Sequence, residues 1–189
     1  GGFDPAARNS IAGDQDPPAG NGYGIYIGGN GDGHLVAGNL IGTFPNGNTA
    51  HGHQVGLRVE SDLNVVASNL VSGNVIGMQV LGSDNLIAGN RVGVKAFAFC
   101  LPPCVPDYAL PNANGALVYA GANDNDFDNN QLAWNSYSGL IMYPGALGNT
   151  LSANRVHDNT SLNLDLRNPA GMNAIDGDGP GTFGCEEAN

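Results

Sequence analysis

Glu60 and Asp62 stand two residues apart in an extended segment, so their carboxylates fall on one side of the chain about 6.5 Å from each other. That separation is compatible with the paired acids of a glycoside hydrolase, although Asp62 falls at a bend that leaves its direction open. A lyase or C5-epimerase needs instead a base near a uronate C5 and a cation facing the uronate carboxylate. Arg58, Lys95, His51 and His53 are the residues that could fill those roles. A formal net charge of −11 works against such chemistry, because the chain repels a polyanionic uronan unless calcium bridges the two. His51 and His53 also sit among Gly and Asn, where a solvated turn accounts for them without a metal.

A second group of residues fits binding rather than turnover. Taking the extended segments as strands, the positions between inward apolar residues are Tyr26, Arg58, Gln79, Leu117 and Ile141, and one step further come Glu60, Leu81, Tyr119 and Tyr143. Aromatic faces beside planar polar groups hold sugars, by CH contacts to the ring and by paired hydrogen bonds to hydroxyls. Tyr26, Arg58, Glu60, Gln79, Tyr119 and Tyr143 are therefore the candidate ligand-binding set. Two insertions, 42–54 and about 95–112, leave the repeat at equivalent points and carry His51, His53, Lys95, Asp107 and Tyr108. They are expected to flank this face and make a shallow groove over Arg58, Glu60, Gln79 and Tyr119. The alternative is that they cover the face as a satellite core.

What must position these residues is a repeat. Gly77 to Asn90 (GMQVLGSDNLIAGN) has the same spacing as Gly56 to Asn69, while Gly24 to Asn39, Gly115 to Asn130 and Gly139 to Asn154 each carry two extra residues. Asn9 to Asp14 reads as the second half of an earlier copy. Within each copy apolar residues alternate, as in Ile25/Ile27, Leu57/Val59, Met78/Val80, Ala116/Val118 and Leu140/Met142, which is strand periodicity. Further apolar positions follow at Ile11, Val36, Val66, Ile87, Phe127 and Leu151, and at Ile41, Val71, Val92, Leu132 and Val156. Three short strands per step of 21 or 24 residues describe a stacked coil rather than a hairpin.

Two columns of Asn follow from the same alignment. One reads Asn9, His34, Asn64, Asn85, Asn125 and Asn149, the other Asp14, Asn39, Asn69, Asn90, Asn130 and Asn154. Stacked about 4.8 Å apart, their amides can hydrogen-bond from coil to coil, and Asn tolerates left-handed turns. The register also stacks Asp84 on Asp124, with Asp126 and Asp128 pointing outward on the same coil. Two carboxylates that close repel by about 3–4 kcal/mol at an effective dielectric of 20. Calcium held by Asp84, Asp124, Asp126 and Asp128 would relieve that, as would splaying into water.

The pattern Gly-x-apolar-x-apolar followed by Asn-x-apolar-x-Gly-Asn, clearest in NLIAGN (85–90), resembles the right-handed parallel β-helix repeat proteins of the pectate lyase-like superfamily, over roughly residues 9–166. The resemblance implies an all-β solenoid of about six coils with two inserted loops on one face. It also implies a function among polysaccharide lyases, hydrolases, C5-epimerases and surface proteins without catalysis. The superfamily's catalytic motifs find no position-by-position match, which favours a structural or carbohydrate-binding module over an enzyme.

At 189 residues one domain is expected, ending in an irregular tail over 167–189, and the opening in mid-pattern reads as a piece of a longer protein. The open ends would then meet further coils or a symmetry mate. Only six residues are basic, so nucleic acid is not an expected partner. No stretch has the apolar length of a membrane span. Acidity and Asn-rich coils point to a secreted or cell-surface location, where Cys100 and Cys104 could close a small disulfide, with Cys185 left over. Asp176-Gly-Asp-Gly lacks the later Glu of an EF-hand loop and reads as a solvated turn, and no cofactor is required.

Overall fold

A computed structural model describes residues 8–13, 22–29, 31–96 and 108–167. Strands are numbered in chain order, and they form three sheets. The first sheet holds β2 (Tyr23–Ile27), β5 (Val55–Val59), β8 (Ile76–Val80), β11 (Asn114–Val118), β14 (Leu140–Met142) and β17 (Leu164–Leu166). The second holds β3 (Leu35–Ala37), β6 (Val65–Ala67), β9 (Leu86–Ala88), β12 (Asp126–Asp128) and β15 (Thr150–Ser152). The third holds β1 (Ser10–Ile11), β4 (Leu40–Ile41), β7 (Leu70–Val71), β10 (Arg91–Val92), β13 (Gln131–Ala133) and β16 (Arg155–His157). Each strand pairs in parallel with the strand of the same sheet in the next coil, so the chain is an all-β parallel β-helix.

The alternation of residue types explains this closure. Inward side chains from all three sheets meet in one core that includes Leu57, Val59, Val66, Val71, Met78, Val80, Ile87, Val92, Phe127, Leu132 and Leu140. The expected inward columns are therefore the observed ones, except that Ile11 stands in the column of Ile41 and that Leu151, in the last coil of the second sheet, is 39 % exposed. Coil-to-coil burial is what stabilises such a stack, because no single coil can bury its own apolar face.

Each coil turns three corners, and an Asn column fills each. At the first corner Asn64, Asn85, Asn125 and Asn149 are joined by side-chain amide hydrogen bonds of 2.9–3.0 Å. At the second, Asn9, Asn39, Asn69, Asn90, Asn130 and Asn154 are joined in the same way. A third column, Asn74, Asn112, Asn135 and Asn159, was not anticipated. In every column the Asn Oδ1 accepts both the side-chain amide and the backbone N–H of the preceding coil, so the buried polar corner is satisfied. Left-handed backbone falls not on these Asn but on the residue before, as at Leu63, Ser68, Asp84, Asp124, Asn129, Trp134 and Ala153.

The first coil corrects the sequence alignment. β1 pairs with β4, Ser10 opposite Leu40 and Ile11 opposite Ile41, and Asn9 donates to Asn39, so Asn9 is a second-corner residue and Ile11 belongs to the third sheet. The motifs at the two corners share Asn-x-Ile, and a single incomplete copy fits either. At the other end, Arg167 still donates its backbone N–H to Met142, so the regular coil runs through that residue. The rest of the anticipated tail, the Asp176–Asp178 turn, Asp14, Asp107, Cys100, Cys104 and Cys185 lie outside the described residues.

Candidate functional site

The glycine that opens each copy places the next strand close enough to form a continuous outer face. A Cβ at Gly56 would meet the carbonyl oxygen of Gly77 at 2.8 Å, and one at Gly77 would press on the carbonyl of Gly115, so neither could carry a side chain at this coil spacing. The positions that follow then come into register, and Tyr26, Arg58, Gln79, Leu117, Ile141 and Asp165 stand side by side across the first sheet.

Around them runs a hydrogen-bonded stripe. Tyr26 donates its hydroxyl to Glu60 Oε2 at 2.5 Å, Arg58 Nε donates to Glu60 Oε1 at 2.6 Å, and the Arg58 guanidinium also pairs with that carboxylate as a salt bridge. Arg58 reaches Gln79 Oε1 at 2.9 Å, and Gln79 Nε2 donates to the Tyr119 hydroxyl at 3.1 Å. Tyr119 stacks on Tyr143 with ring centroids 5.1 Å apart. Arg167 lies over the Tyr143 ring and donates to Asp165. At the other end Tyr23 stacks on Tyr26, with Arg58 over the Tyr23 ring. The stripe thus has an arginine on an aromatic ring at each end, and each arginine is neutralised by a carboxylate two residues away in sequence.

All six candidate ligand-binding residues are brought together here. Tyr23, Asp165 and Arg167 complete the stripe and were missed. Tyr23 precedes the repeat's glycine, outside the positions compared, and Asp165 lies in a final strand, with Arg167 just after it, that has no glycine to mark its register. Leu117 and Ile141, also outward by register, are buried.

The electrostatics are those of a closed network. The hydrogen bond from Tyr26, then that from Arg58, holds the Glu60 carboxyl below its ordinary range. The same bond to Glu60 raises the Tyr26 phenol. Burial works against the Arg58 guanidinium, but its hydrogen bond and attraction to Glu60 prevail and raise it. Burial, with the neighbouring Tyr143, raises the Tyr119 phenol. Glu60 is thus a carboxylate at neutral pH, poorly suited to donate a proton. Its expected partner Asp62 accepts the backbone N–H of Ser83 at 2.7 Å, in a column apart from the stripe.

The described parts of the two insertions, 42–54, 95–96 and 108–112, do not flank the stripe. Residues 42–54 form a tight excursion, with Thr43 bridged to Ala50 and Phe44 edge-on to His51 at 4.5 Å. It folds over the third sheet, where the backbone N–H of Ala96 donates to the Gly47 carbonyl. Lys95 donates its backbone N–H to Tyr108, whose ring stacks on Trp134 at 5.7 Å, on the same side. His53 Nε2 contacts the Ile11 carbonyl and its backbone N–H donates to Asn74, so it occupies the third corner in place of an Asn. His51, His53 and Lys95 therefore precede the long strands, whereas Arg58 and Glu60 end them. A five-residue strand of about 13 Å separates the two groups. The loops leave at the corner before the first sheet, but their described parts pack toward the third, where Leu40 and Leu70 join Val94 and Ala96 in one buried apolar cluster.

The expected calcium ligands also divide. Asp84 and Asp124 occupy left-handed turn positions, a conformation Asp adopts more readily than most residues. Asp126 and Asp128 face outward on the second sheet, where they accept hydroxyl hydrogen bonds from Thr150 and Ser152 at 2.6 and 2.8 Å. Among the described residues no group of three or more His, Cys, Asp or Glu side chains is placed to hold a metal ion. No helix among them is long and apolar enough to cross a membrane. Compared with family models, curated proteins and solved structures, the chain matches none.

Proposed function

We propose that the chain is a module of the pectate lyase-like parallel β-helix superfamily, secreted or displayed at a cell surface, that binds a neutral polysaccharide along the stripe without turning it over. The observation that carries this reading is the line of aromatic faces and planar hydrogen-bonding groups crossing successive coils from Tyr23 to Arg167. Tyr26, 52 % exposed, offers a platform at one end, and Tyr119 stands three strands away, about 14 Å on. A site of that length suits an oligosaccharide chain better than a single sugar. Neutrality fits as well, since both arginines are already matched by carboxylates. The reading needs no cofactor, and further coils or a second copy against the ends of the stack are part of it.

The alternative is a polysaccharide lyase, C5-epimerase or glycoside hydrolase at the same face. It would need a proton donor or a base free to act, and Glu60 is held ionised by two donors while Asp62 is occupied by Ser83. Calorimetry against a panel of neutral oligosaccharides tests the proposal. Binding is expected, weakened about tenfold by Tyr26→Ala or Tyr119→Ala, the scale of one lost aromatic contact. Failure of the whole panel to bind would remove the reading. Product release that stops on Glu60→Gln or Arg58→Ala would replace it with the enzyme.

A further inference from the structure

The third sheet carries a feature that the stripe does not use. A cleft there is lined by Leu40, Leu70, Ala96, Ser68 and two arginines, Arg8 and Arg91. Its volume is about 270 Å³ even counting space open to solvent, which is below the usual range for a drug-sized ligand and suits one small group. Four of the six basic residues, Arg8, Arg91, Lys95 and Arg155, belong to this side of the molecule. Among the described residues no carboxylate stands on β4, β7, β10 or the segments 42–54 and 93–96.

Arg91 is also held in place. Its Nη1 donates to the Ala96 carbonyl at 2.9 Å and its Nη2 to the Lys95 carbonyl at 2.8 Å, which orients the guanidinium and leaves further N–H donors. It is half-buried, and neither it nor Arg8 has a carboxylate partner among the described residues. Burial first, and the nearby positive charge of Arg8 second, make the charged state of Arg91 harder to hold than usual. A half-buried guanidinium with a second positive charge lining the same cleft is an unfavourable arrangement that an anion would relieve.

We propose that the cleft between Arg8 and Arg91 binds one oxyanion group, a sulfate or phosphate, with the Ser68 hydroxyl available as a further donor. Charges beyond about 8–10 Å are largely screened at physiological salt, so the overall acidity of the chain does not exclude an anion there. The site is independent of the stripe, so either can fail without the other.

The test is NMR titration of the full chain with sodium sulfate, sodium phosphate and a sulfated monosaccharide, each against sodium chloride at matched ionic strength. Saturable shifts are expected at Arg8, Arg91 and the Ser68 amide. Arg8→Gln, which removes an exposed side chain, should weaken binding about tenfold or more, the scale of a charge-assisted pair. Arg91→Lys, which keeps the charge but loses the fork, should weaken it too. Arg155→Gln, on the same sheet but outside the cleft, should leave it unchanged. Tighter binding of the sulfated sugar would identify an ester group as the natural form, and equal binding the free ion. Absence of saturable shifts, or equal weakening by Arg8→Gln and Arg155→Gln, would overturn the site.

Discussion

At the scale of residues, the buried amides carry the most specific energetics. Asn90 is fully buried, and its Oδ1 receives both the backbone N–H and the side-chain amide of Asn69. Asn90→Ala leaves those two donors without an acceptor in the interior, so a loss of about 2–4 kcal/mol is expected in urea unfolding. Thr43 makes the opposite case. Its hydroxyl is buried with no hydrogen-bond partner, so Thr43→Val should leave stability unchanged or raise it by about 1 kcal/mol. Glu60 supplies a pH dependence. Because its folded pKa is depressed, its contribution is fully present above the unfolded value of about 4.3 and is lost as pH falls through the lower folded value. Tyr26→Phe removes the largest cause. Carboxyl NMR should then show Glu60 titrating closer to its ordinary value.

At the scale of elements, the glycine before each long-strand pair is set by proximity rather than by backbone conformation. A methyl at Gly77 would collide with the Gly115 carbonyl and approach Val92 and Asn112, so Gly77→Ala should cost roughly 1–3 kcal/mol, although alanine is ordinarily the better strand residue. A matching substitution at Gly29, whose added carbon would meet nothing nearby, separates crowding from the strain of its positive φ. These collisions also mark how far the sequence could be read. Alternation made the inward columns and two Asn columns legible, because each repeats at nearly constant spacing. The third column was hidden because Asn112 follows Asn90 by a step of 22 residues where a step of five suffices in other coils, as from Asn69 to Asn74 or Asn130 to Asn135. Loop direction was illegible for another reason. Leaving at a corner, a loop can cover either adjoining sheet, and the outward apolar Leu40 and Leu70 decide which.

At the scale of the whole molecule, stability is distributed as in a one-dimensional stack. Val66, Val80, Ile87 and Val92 are fully buried between coils on both sides, while Leu151 and Val156 in the last coil are not. Native-state hydrogen exchange should therefore show protection highest across β6 to β9 and falling toward β3 and β15. Uniform protection would mean that the coils unfold as one unit. The six stripe candidates met in space because a solenoid brings equivalent positions into line, whereas Tyr23, Asp165 and Arg167 joined them from outside the repeated positions.

The Asn columns have one further consequence. In all three, each amide donates its Nδ2 to the Oδ1 of the following coil, never the reverse. Amide dipoles of about 3.5 D therefore add along the axis instead of cancelling, giving on the order of tens of debyes. The stack has an electrical polarity. A cut between any two coils leaves donors on one surface and acceptors on the other, so two stacks abutting end to end match only head to tail. Head to head, oxygen would face oxygen at every corner, and a two-fold end-to-end dimer is disfavoured by the same bonds that hold the coils together.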